Sequence, residues 1–233
     1  MGLAKRIIPV LLMRHGHLVK GKQFDSSRVV GNARQAAEIH QARGVDELII
    51  LDVGATPSGK GPDFYAMAEI TECCFMPIAV GGGVSEVWHV RELLANGADK
   101  VVIGTAARDK FIRQCVDKFG SQAIVVVINY HTLFKNQYWG TLMETLGAGE
   151  IMLNSIERDG MMNGYDLRAV KNISDVLEIP VIACGGCGKY LHMHQALRAG
   201  ADAVAAGSLF QWTDSTPRGA AEYLAKKGWE VRL

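Results

Sequence analysis

Two glycine clusters have the residue types and spacing that most directly indicate chemistry. Each is followed about twenty residues later by a glycine and a hydroxyl residue. The first comprises residues 81–83 and 104–105 (Gly-Thr), and the second residues 185–188 and 207–208 (Gly-Ser). Glycine lets backbone N–H groups approach a ligand closely, and the hydroxyl adds another donor. The pattern therefore predicts two cradles for phosphate, although the same glycines could serve only to turn the chain sharply.

The two clusters belong to an internal repeat. Residues 180–210 repeat the pattern of residues 77–107 at a constant offset of 103 (180 − 77; 208 − 105), and residues 147–151 likewise repeat 44–48. Each copy reads as strand, glycine turn, helix, strand and glycine turn. The repeat predicts two half-barrels whose cradles face each other across one mouth, as a ligand with a phosphate at each end would require.

Apolar runs of strand length alternate with helix-length segments eight times along the chain. The runs begin at Ile7, Leu48, Ile78, Val101, Ala123, Ile151, Val181 and Ala203. The helical segments are residues 33–43, 64–73, 86–96, 110–119, 138–146, 167–177, 190–199 and 218–227. This alternation predicts an α/β fold, a (β/α)8 TIM barrel with a twofold half-barrel repeat, over a single domain of residues 1–233.

The bulk composition excludes several classes of function. The formal charge of +1, with interspersed acids and bases, gives no support for nucleic-acid or membrane-surface binding. The N-terminal apolar run is too short to span a bilayer, and with the absence of a cleavage site this predicts a cytoplasmic protein. Five cysteines without framework spacing suit reduced thiols, and Cys184 and Cys187 lack the second ligand pair that a zinc site needs. We expect no metal and no cofactor.

The offset changes in one place. Strand one aligns with strand five at an offset of 117 (129 − 12), so the link after strand five, at residues 131–137, is 14 residues shorter than its counterpart. Loops on that face of a barrel usually build the site. Either the link is native in this short form, or residues are missing from it.

Sequence blocks in order along nearly the whole chain resemble the cyclase subunits of imidazole glycerol phosphate synthase. These blocks include AKRIIP, DELIILD, VGGG, GADKV, FGSQA, GAGEI, SIERDG and GYD. The resemblance implies a barrel that receives ammonia from a glutaminase docked on its bottom face and joins it to a bisphosphorylated, nucleotide-like substrate at the top.

The resemblance also assigns residues. The implied phosphate contacts are Gly83, Thr105, Asp159, Gly160, Gly186 and Ser208. Lys20 on the first loop and Asp52 at the end of strand two are the implied substrate-binding residues.

Four charged residues at strand starts match an ammonia gate at the bottom of the barrel. They are Arg6, Glu47, Lys100 and Glu150. Two cations and two anions there can pair into a closed ring, although residues of the bottom face commonly serve only stability.

The chain departs from the family at the residues on which cyclisation depends. Leu12 and Asn129 occupy the positions of the two catalytic aspartates, and Gly104 replaces an asparagine beside the first phosphate. Leucine carries no proton and a carboxamide has no usable pKa near neutrality, whereas one positioned acid or base contributes about 10²- to 10⁴-fold. Possible substitutes are Asp52, Asp159, His15 and His17, with helix capping or phosphate-loop support as the alternative role of the two aspartates.

The retained gate and the missing proton donors resemble a branch of the family found in bacterial surface-polysaccharide clusters. That branch also has Leu-Leu at strand one and a phrase like CFMPI, here residues 74–78. The resemblance implies that the barrel passes ammonia from its own glutaminase to a separate sugar amidotransferase, with weak or no cyclase activity. The alternatives are an authentic cyclase of histidine biosynthesis and a non-catalytic sensor of a bisphosphate.

Overall fold

The computed structural model describes residues 4–131 and 136–233, so the predicted short link lies partly outside the described residues. The strands are β1 (Arg6–Arg14), β2 (His17–Lys22), β3 (Asp25–Asn32), β4 (Leu48–Asp52), β5 (Ile78–Gly81), β6 (Lys100–Ile103), β7 (Ile124–Tyr130), β8 (Glu150–Ser155), β9 (Val181–Cys184) and β10 (Ala203–Ala206). The α-helices are α1 (Ala33–Ala42), α2 (Ala55–Ser58), α3 (Phe64–Thr71), α4 (Val87–Ala95), α5 (Asp109–Phe119), α6 (Asn136–Thr145), α7 (Leu167–Ser174), α8 (Tyr190–Arg198), α9 (Ser208–Trp212) and α10 (Pro217–Lys226).

Eight of these strands form a closed parallel barrel. The sheet order is β10-β9-β8-β7-β6-β5-β4-β1, and β10 pairs in parallel with β1, so that Arg6 lies beside Ala203. Each barrel strand begins within one residue of the apolar run that predicted it. The predicted (β/α)8 architecture is therefore confirmed.

Successive side chains of each barrel strand point alternately into the barrel and toward the surrounding helices, and both sides are buried. Along β1, Ile8 and Val10 belong to an apolar cluster that draws on all eight barrel strands and on no helix, which places it inside the barrel. Ile7 and Leu11 belong to the larger cluster between the strands and the surrounding helices. A strand that is buried on both sides needs apolar side chains at consecutive positions, which explains the continuous apolar runs.

A hairpin of β2 and β3 was not predicted. It continues β1 antiparallel, with Leu12 beside Val19, and fills the loop that joins β1 to α1. From Leu12 to the start of α1 there are 21 residues (33 − 12), against 7 from Asn129 to the start of α6 (136 − 129). The hairpin, residues 17–32, therefore accounts for the 14-residue difference between the two halves.

The twofold repeat extends to hydrogen bonds. The carboxylate of Asp99 accepts a bond from the backbone N–H of Ile78 at 2.8 Å, and that of Asp202 accepts one from Val181 at 3.1 Å, each pair 103 positions apart. These aspartates hold the starts of β5 and β9 against the next strand. The two halves thus share local interactions as well as topology.

Two histidines repeat in the same way. Nδ1 of His89 accepts the N–H of Ser85 at 3.2 Å, and Nδ1 of His192 accepts that of Gly188 at 3.1 Å. An imidazole can accept at Nδ1 only when that nitrogen is unprotonated. Burial lowers the pKa of both side chains, which favours the neutral form.

A third histidine predicts how stability depends on pH. His40 is buried, and burial, assisted by the charge of Arg43, lowers its pKa to about 4. The unfolded chain, with a histidine pKa of about 6.5, then binds more protons than the folded one, so stability is lost as the pH falls from about 6.5 toward 4. Between pH 7.5 and pH 5.0, His40→Leu should lose about 2 kcal/mol less free energy of unfolding than the wild type, measured by urea denaturation.

The control is His17→Leu, which removes an exposed histidine of β2 and should show the wild-type dependence. Equal losses in the wild type and His40→Leu would contradict the prediction.

Candidate functional site

A cavity of about 790 Å³ opens at the carboxyl ends of the barrel strands. Its walls include Leu12 from β1, Asp52 from β4, Gly104 after β6, Asn129 from β7 and Cys184 from β9. Parallel strands bring their carboxyl ends to one face of a barrel, and binding sites lie there. The cavity is therefore the candidate functional site.

Leu12 and Asn129 face this cavity from opposite sides of the barrel. Leu12 packs on the interior apolar cluster, together with Leu51 and Val127. Asn129 instead accepts a hydrogen bond at Oδ1 from Nδ2 of Asn154, at 3.0 Å. Neither position carries a group that could take or give a proton near neutral pH.

Asn154 was missed in the sequence. It lies on β8, is 7% exposed and lines the cavity, and its Oδ1 is buried without a hydrogen-bond partner in the part of the chain that the structure describes. Its position one residue before the end of β8, on the same face as Glu150 and Met152, is the signal that could have placed it here. The mouth therefore carries a pair of neutral amides.

The first glycine cluster opens onto the cavity. A β-carbon on Gly82 would collide with the backbone carbonyl of Asp52, and one on Gly83 would lie 2.7 Å from the β-carbon of Ala55. Both glycines have left-handed backbone angles, φ +110° and φ +69°, which L side chains rarely adopt. With Gly83 and the exposed Thr105 both lining the cavity, an anion can reach this cradle.

The second glycine cluster is covered. A β-carbon on Gly160 would collide with the carbonyl of Gly21 in the hairpin, and one on Gly186 with the carbonyl of Gly164. Gly160, Gly186 and the buried Ser208 are absent from the cavity wall, to which Asp159 alone of the predicted second set contributes. The two predicted cradles are therefore not equivalent: Gly83 and Thr105 of the first line this cavity, whereas Gly186 and Ser208 of the second do not.

Hairpin contacts hold this cover in place. The N–H of Gln23 donates to the carbonyl of Asp159 at 2.9 Å, and its side chain donates to the carbonyl of Glu157 at 3.1 Å. Further along, Arg28 lies 5.2 Å from the centre of the Trp212 ring in α9. The hairpin thus closes the second half of the mouth.

Lys20 lies beneath the hairpin. It is 5% exposed, and a β-carbon on Gly207 would collide with its ammonium group, so the ammonium lies over the second glycine cluster. Burial lowers the pKa of Lys20 to about 8, although the charge of Asp159 opposes the shift. Burial likewise raises the pKa of Asp159, opposed by Lys20.

Asp52 lines the cavity with one oxygen already engaged. Its Oδ1 accepts the N–H of Gly54 at 2.8 Å, and burial raises its pKa. This bond supports the turn after β4 but does not cap a helix, since α2 follows Gly54 without a side-chain cap. His15 and His17 are exposed and lie outside the cavity wall, so they do not replace the missing acid and base.

The four predicted gate residues meet at the opposite end of the barrel. Arg6 contacts Glu47 at 2.6 Å and Glu150 at 3.0 Å, and Lys100 contacts Glu47 at 2.9 Å and Glu150 at 2.8 Å. Each acid touches both cations, so the four form a closed ring, called here the charge ring. Burial alone would raise the pKa of Glu150, but bonds from Arg6 and Lys100 hold it below its usual value.

Apolar side chains fill the barrel between the charge ring and the cavity. They include Ile8, Ile49, Val102, Val125 and Met152, each at most 2% exposed. Desolvating an ion here is far more costly than desolvating a small neutral molecule. A charged group would therefore be costly to place in this interior.

Two further features were searched for in residues 4–131 and 136–233. No group of three metal-ligating side chains lies together there. No helix in the same residues has the length and apolarity to cross a membrane.

Comparisons with known proteins give a consistent result. A family model described as "Histidine biosynthesis protein" matches residues 6–215. The chain is also 38% identical over 250 aligned positions to "Imidazole glycerol phosphate synthase subunit HisF" of Chlorobium phaeobacteroides (strain BS1), covering 99% of this chain and 100% of the relative. The aligned span exceeds the 233 residues of this chain by 17 (250 − 233), so the relative carries positions that this chain lacks.

The charge ring predicts a large cost for removing one member. Glu47→Ala would leave the two cations Arg6 and Lys100 facing the single carboxylate of Glu150 in a largely buried setting, and should lower the free energy of unfolding by about 3 kcal/mol. Glu38→Ala, which breaks an exposed pair with Arg34, should cost no more than about 0.5 kcal/mol. Urea denaturation measures both, and equal effects would show that the ring is worth no more than a surface pair.

Proposed function

This chain belongs to the histidine biosynthesis protein family, and from that membership we propose that it is the HisF-like subunit of a glutamine amidotransferase complex. In this proposal a glutaminase docks on the bottom face of the barrel, and ammonia passes through the interior to the upper mouth. The barrel itself has weak or no cyclase activity. The family membership rests on the match over residues 6–215.

The observation that carries the proposal is that Leu12 and Asn129 face each other across the mouth. Both line the one cavity from opposite strands, where the family resemblance calls for two aspartates. A positioned acid or base typically contributes about 10²- to 10⁴-fold, and this chain lacks both at these positions. Cyclisation is therefore the step that the mouth is least equipped to perform.

The lower end of the barrel supports the delivery of ammonia. Neutral NH₃ can enter an apolar interior at far lower cost than NH₄⁺. The charge ring is closed by four ion pairs, so passage requires that at least one of them open. Docking of a glutaminase beside the ring supplies a reason for it to open only when ammonia is being made.

Phe75 supports docking on this face. It lies in the loop between α3 and β5, at the same end of the barrel as the charge ring, and is 87% exposed. Its backbone is held, since Oε1 of Gln41 accepts from the N–H groups of Phe75 at 2.7 Å and Met76 at 3.0 Å. An exposed aromatic side chain on a backbone held in this way is suited to anchor a protein interface.

The ammonia acceptor in this proposal is a sugar of a bacterial surface polysaccharide, amidinated by a separate sugar amidotransferase. The support is the residue phrase shared with that branch, at residues 74–78 and at the Leu-Leu of β1. A subunit that delivers ammonia to another enzyme needs neither catalytic aspartate.

An authentic cyclase with displaced proton donors is the second candidate. Asp52 and Asp159 line the cavity, and burial raises the pKa of both toward the range useful in acid–base catalysis. However, Asp52 accepts the N–H of Gly54, and Asp159 lies beside Lys20 under the hairpin. Both carboxylates therefore already have structural partners, which favours the first candidate.

A cyclase assay separates the two candidates. With ammonium salt and the bisphosphate substrate of imidazole glycerol phosphate synthase, the purified chain should show little turnover. Leu12→Asp combined with Asn129→Asp should raise it by at least about 10²-fold. Leu12→Asn, which matches aspartate in size but has no carboxylate, is the control and should leave turnover low; wild-type turnover near that of an authentic cyclase would contradict the proposal.

Phe75→Ala tests the docking face. The substitution should weaken association with the glutaminase subunit by at least about fivefold, because truncating an aromatic anchor that the interface buries costs more than about 1 kcal/mol. Titration calorimetry measures the dissociation constant. Leu191→Ala removes another exposed apolar side chain, from α8 on the flank of the barrel, and should bind as the wild type does; equal binding by Phe75→Ala would place the partner elsewhere.

A further inference from the structure

A groove between α4 and α5 lies on the outer surface of the first half-barrel. Its volume is about 590 Å³, within the range of small-molecule pockets. Ser85, Arg108 and Phe111 line both this groove and the cavity at the mouth, so the two spaces adjoin. The proposed conduction of ammonia makes no use of this groove.

The groove is strongly cationic. Arg91, Arg108, Lys110 and Lys118 line it and are exposed, against the single carboxylate of Glu86. Across residues 4–131 and 136–233, none of these four cations forms a salt bridge. Four cations gathered in one groove of a chain whose formal charge is only +1 favour an anionic ligand.

An ordered aromatic ring forms part of the same wall. Trp88 is 49% exposed, and its ring lies 4.2 Å from that of His89 and 5.5 Å from that of Phe64, measured between centroids. Its Nε1 donates to Glu86 at 3.1 Å. These contacts fix the indole on one side while leaving surface exposed, so that it can stack on a planar ligand.

The internal repeat shows that the fold does not require these residues. At the same positions of α8, 103 residues later, Leu191 replaces Trp88 and His194 replaces Arg91. Nδ1 of His194 accepts a hydrogen bond from Trp229, so that position serves packing in the second half. The aromatic and cationic pair is therefore specific to the first half.

We propose that the groove between α4 and α5 binds a nucleotide, with the base on Trp88 and the phosphates among Arg91, Arg108, Lys110 and Lys118. An aromatic platform next to cations matches a ligand that has a planar ring at one end and phosphate at the other. A polyphosphate would use the cations but not the indole. Because Arg108 lines both spaces, a bound nucleotide would lie beside the mouth of the barrel.

The test compares ADP with inorganic pyrophosphate, measured by titration calorimetry on the full chain at low ionic strength. ADP should bind more tightly than pyrophosphate by at least about fivefold, the contribution expected from base stacking. Trp88→Leu, which installs the residue found at position 191, should abolish this difference and leave pyrophosphate binding unchanged. Arg91→Ala combined with Lys118→Ala should weaken both ligands by at least about tenfold.

Lys171→Ala combined with Arg218→Ala is the matched control, because it removes two exposed cations from α7 and α10. It should bind both ligands as the wild type does, and thermal unfolding should show that all the variants are folded. The proposal is overturned if ADP binds no more tightly than pyrophosphate, if Trp88→Leu keeps the full preference for ADP, or if the control weakens binding as much as Arg91→Ala with Lys118→Ala.

Discussion

The parallel pairing of β1 with β10 is the constraint on which the arrangement of the molecule depends. It brings the first and last barrel strands together, so that Arg6 enters the charge ring and Leu12 reaches the mouth from the same strand. Without closure, Leu12 and Asn129 would not share a cavity, and Arg6 would not meet Glu150. One set of backbone hydrogen bonds thereby aligns the charge ring, the apolar interior and the mouth on one axis.

The two ends of the barrel have different chemistry. At the bottom, Glu47 and Glu150 each contact both Arg6 and Lys100, and the charges are satisfied by one another. At the mouth, the strand ends that oppose each other carry an alkyl group and an amide. The proposed function draws on this difference: in the proposal the charge ring regulates entry at the lower end, and at the upper end Leu12 and Asn129 offer neither an acid nor a base.

Much of the fold was predictable because the signals are local or periodic. Eight apolar runs with intervening helices predicted the barrel, and the family resemblance predicted the members of the charge ring. The hairpin was not predicted, since residues 17–32 mix polar and apolar side chains and its strands are stabilised by continuing β1. The burial of Lys20 and the covering of Gly160 follow from that hairpin, and such contacts between distant segments leave no pattern in either segment alone. Asn154 was missed because a lone asparagine in a strand carries no motif.

The matched histidines of the two halves have a consequence for how this architecture can change. His89 in α4 and His192 in α8 each accept a hydrogen bond from the turn that precedes their own helix. Neither half therefore relies on the other to shape its strand ends. Because each half has its own copy of this hydrogen bond, each half can change without disturbing the turn of the other. The first half could therefore gain both a hairpin and a charged flank that the second half lacks, and the shared scaffold tolerated both departures from symmetry.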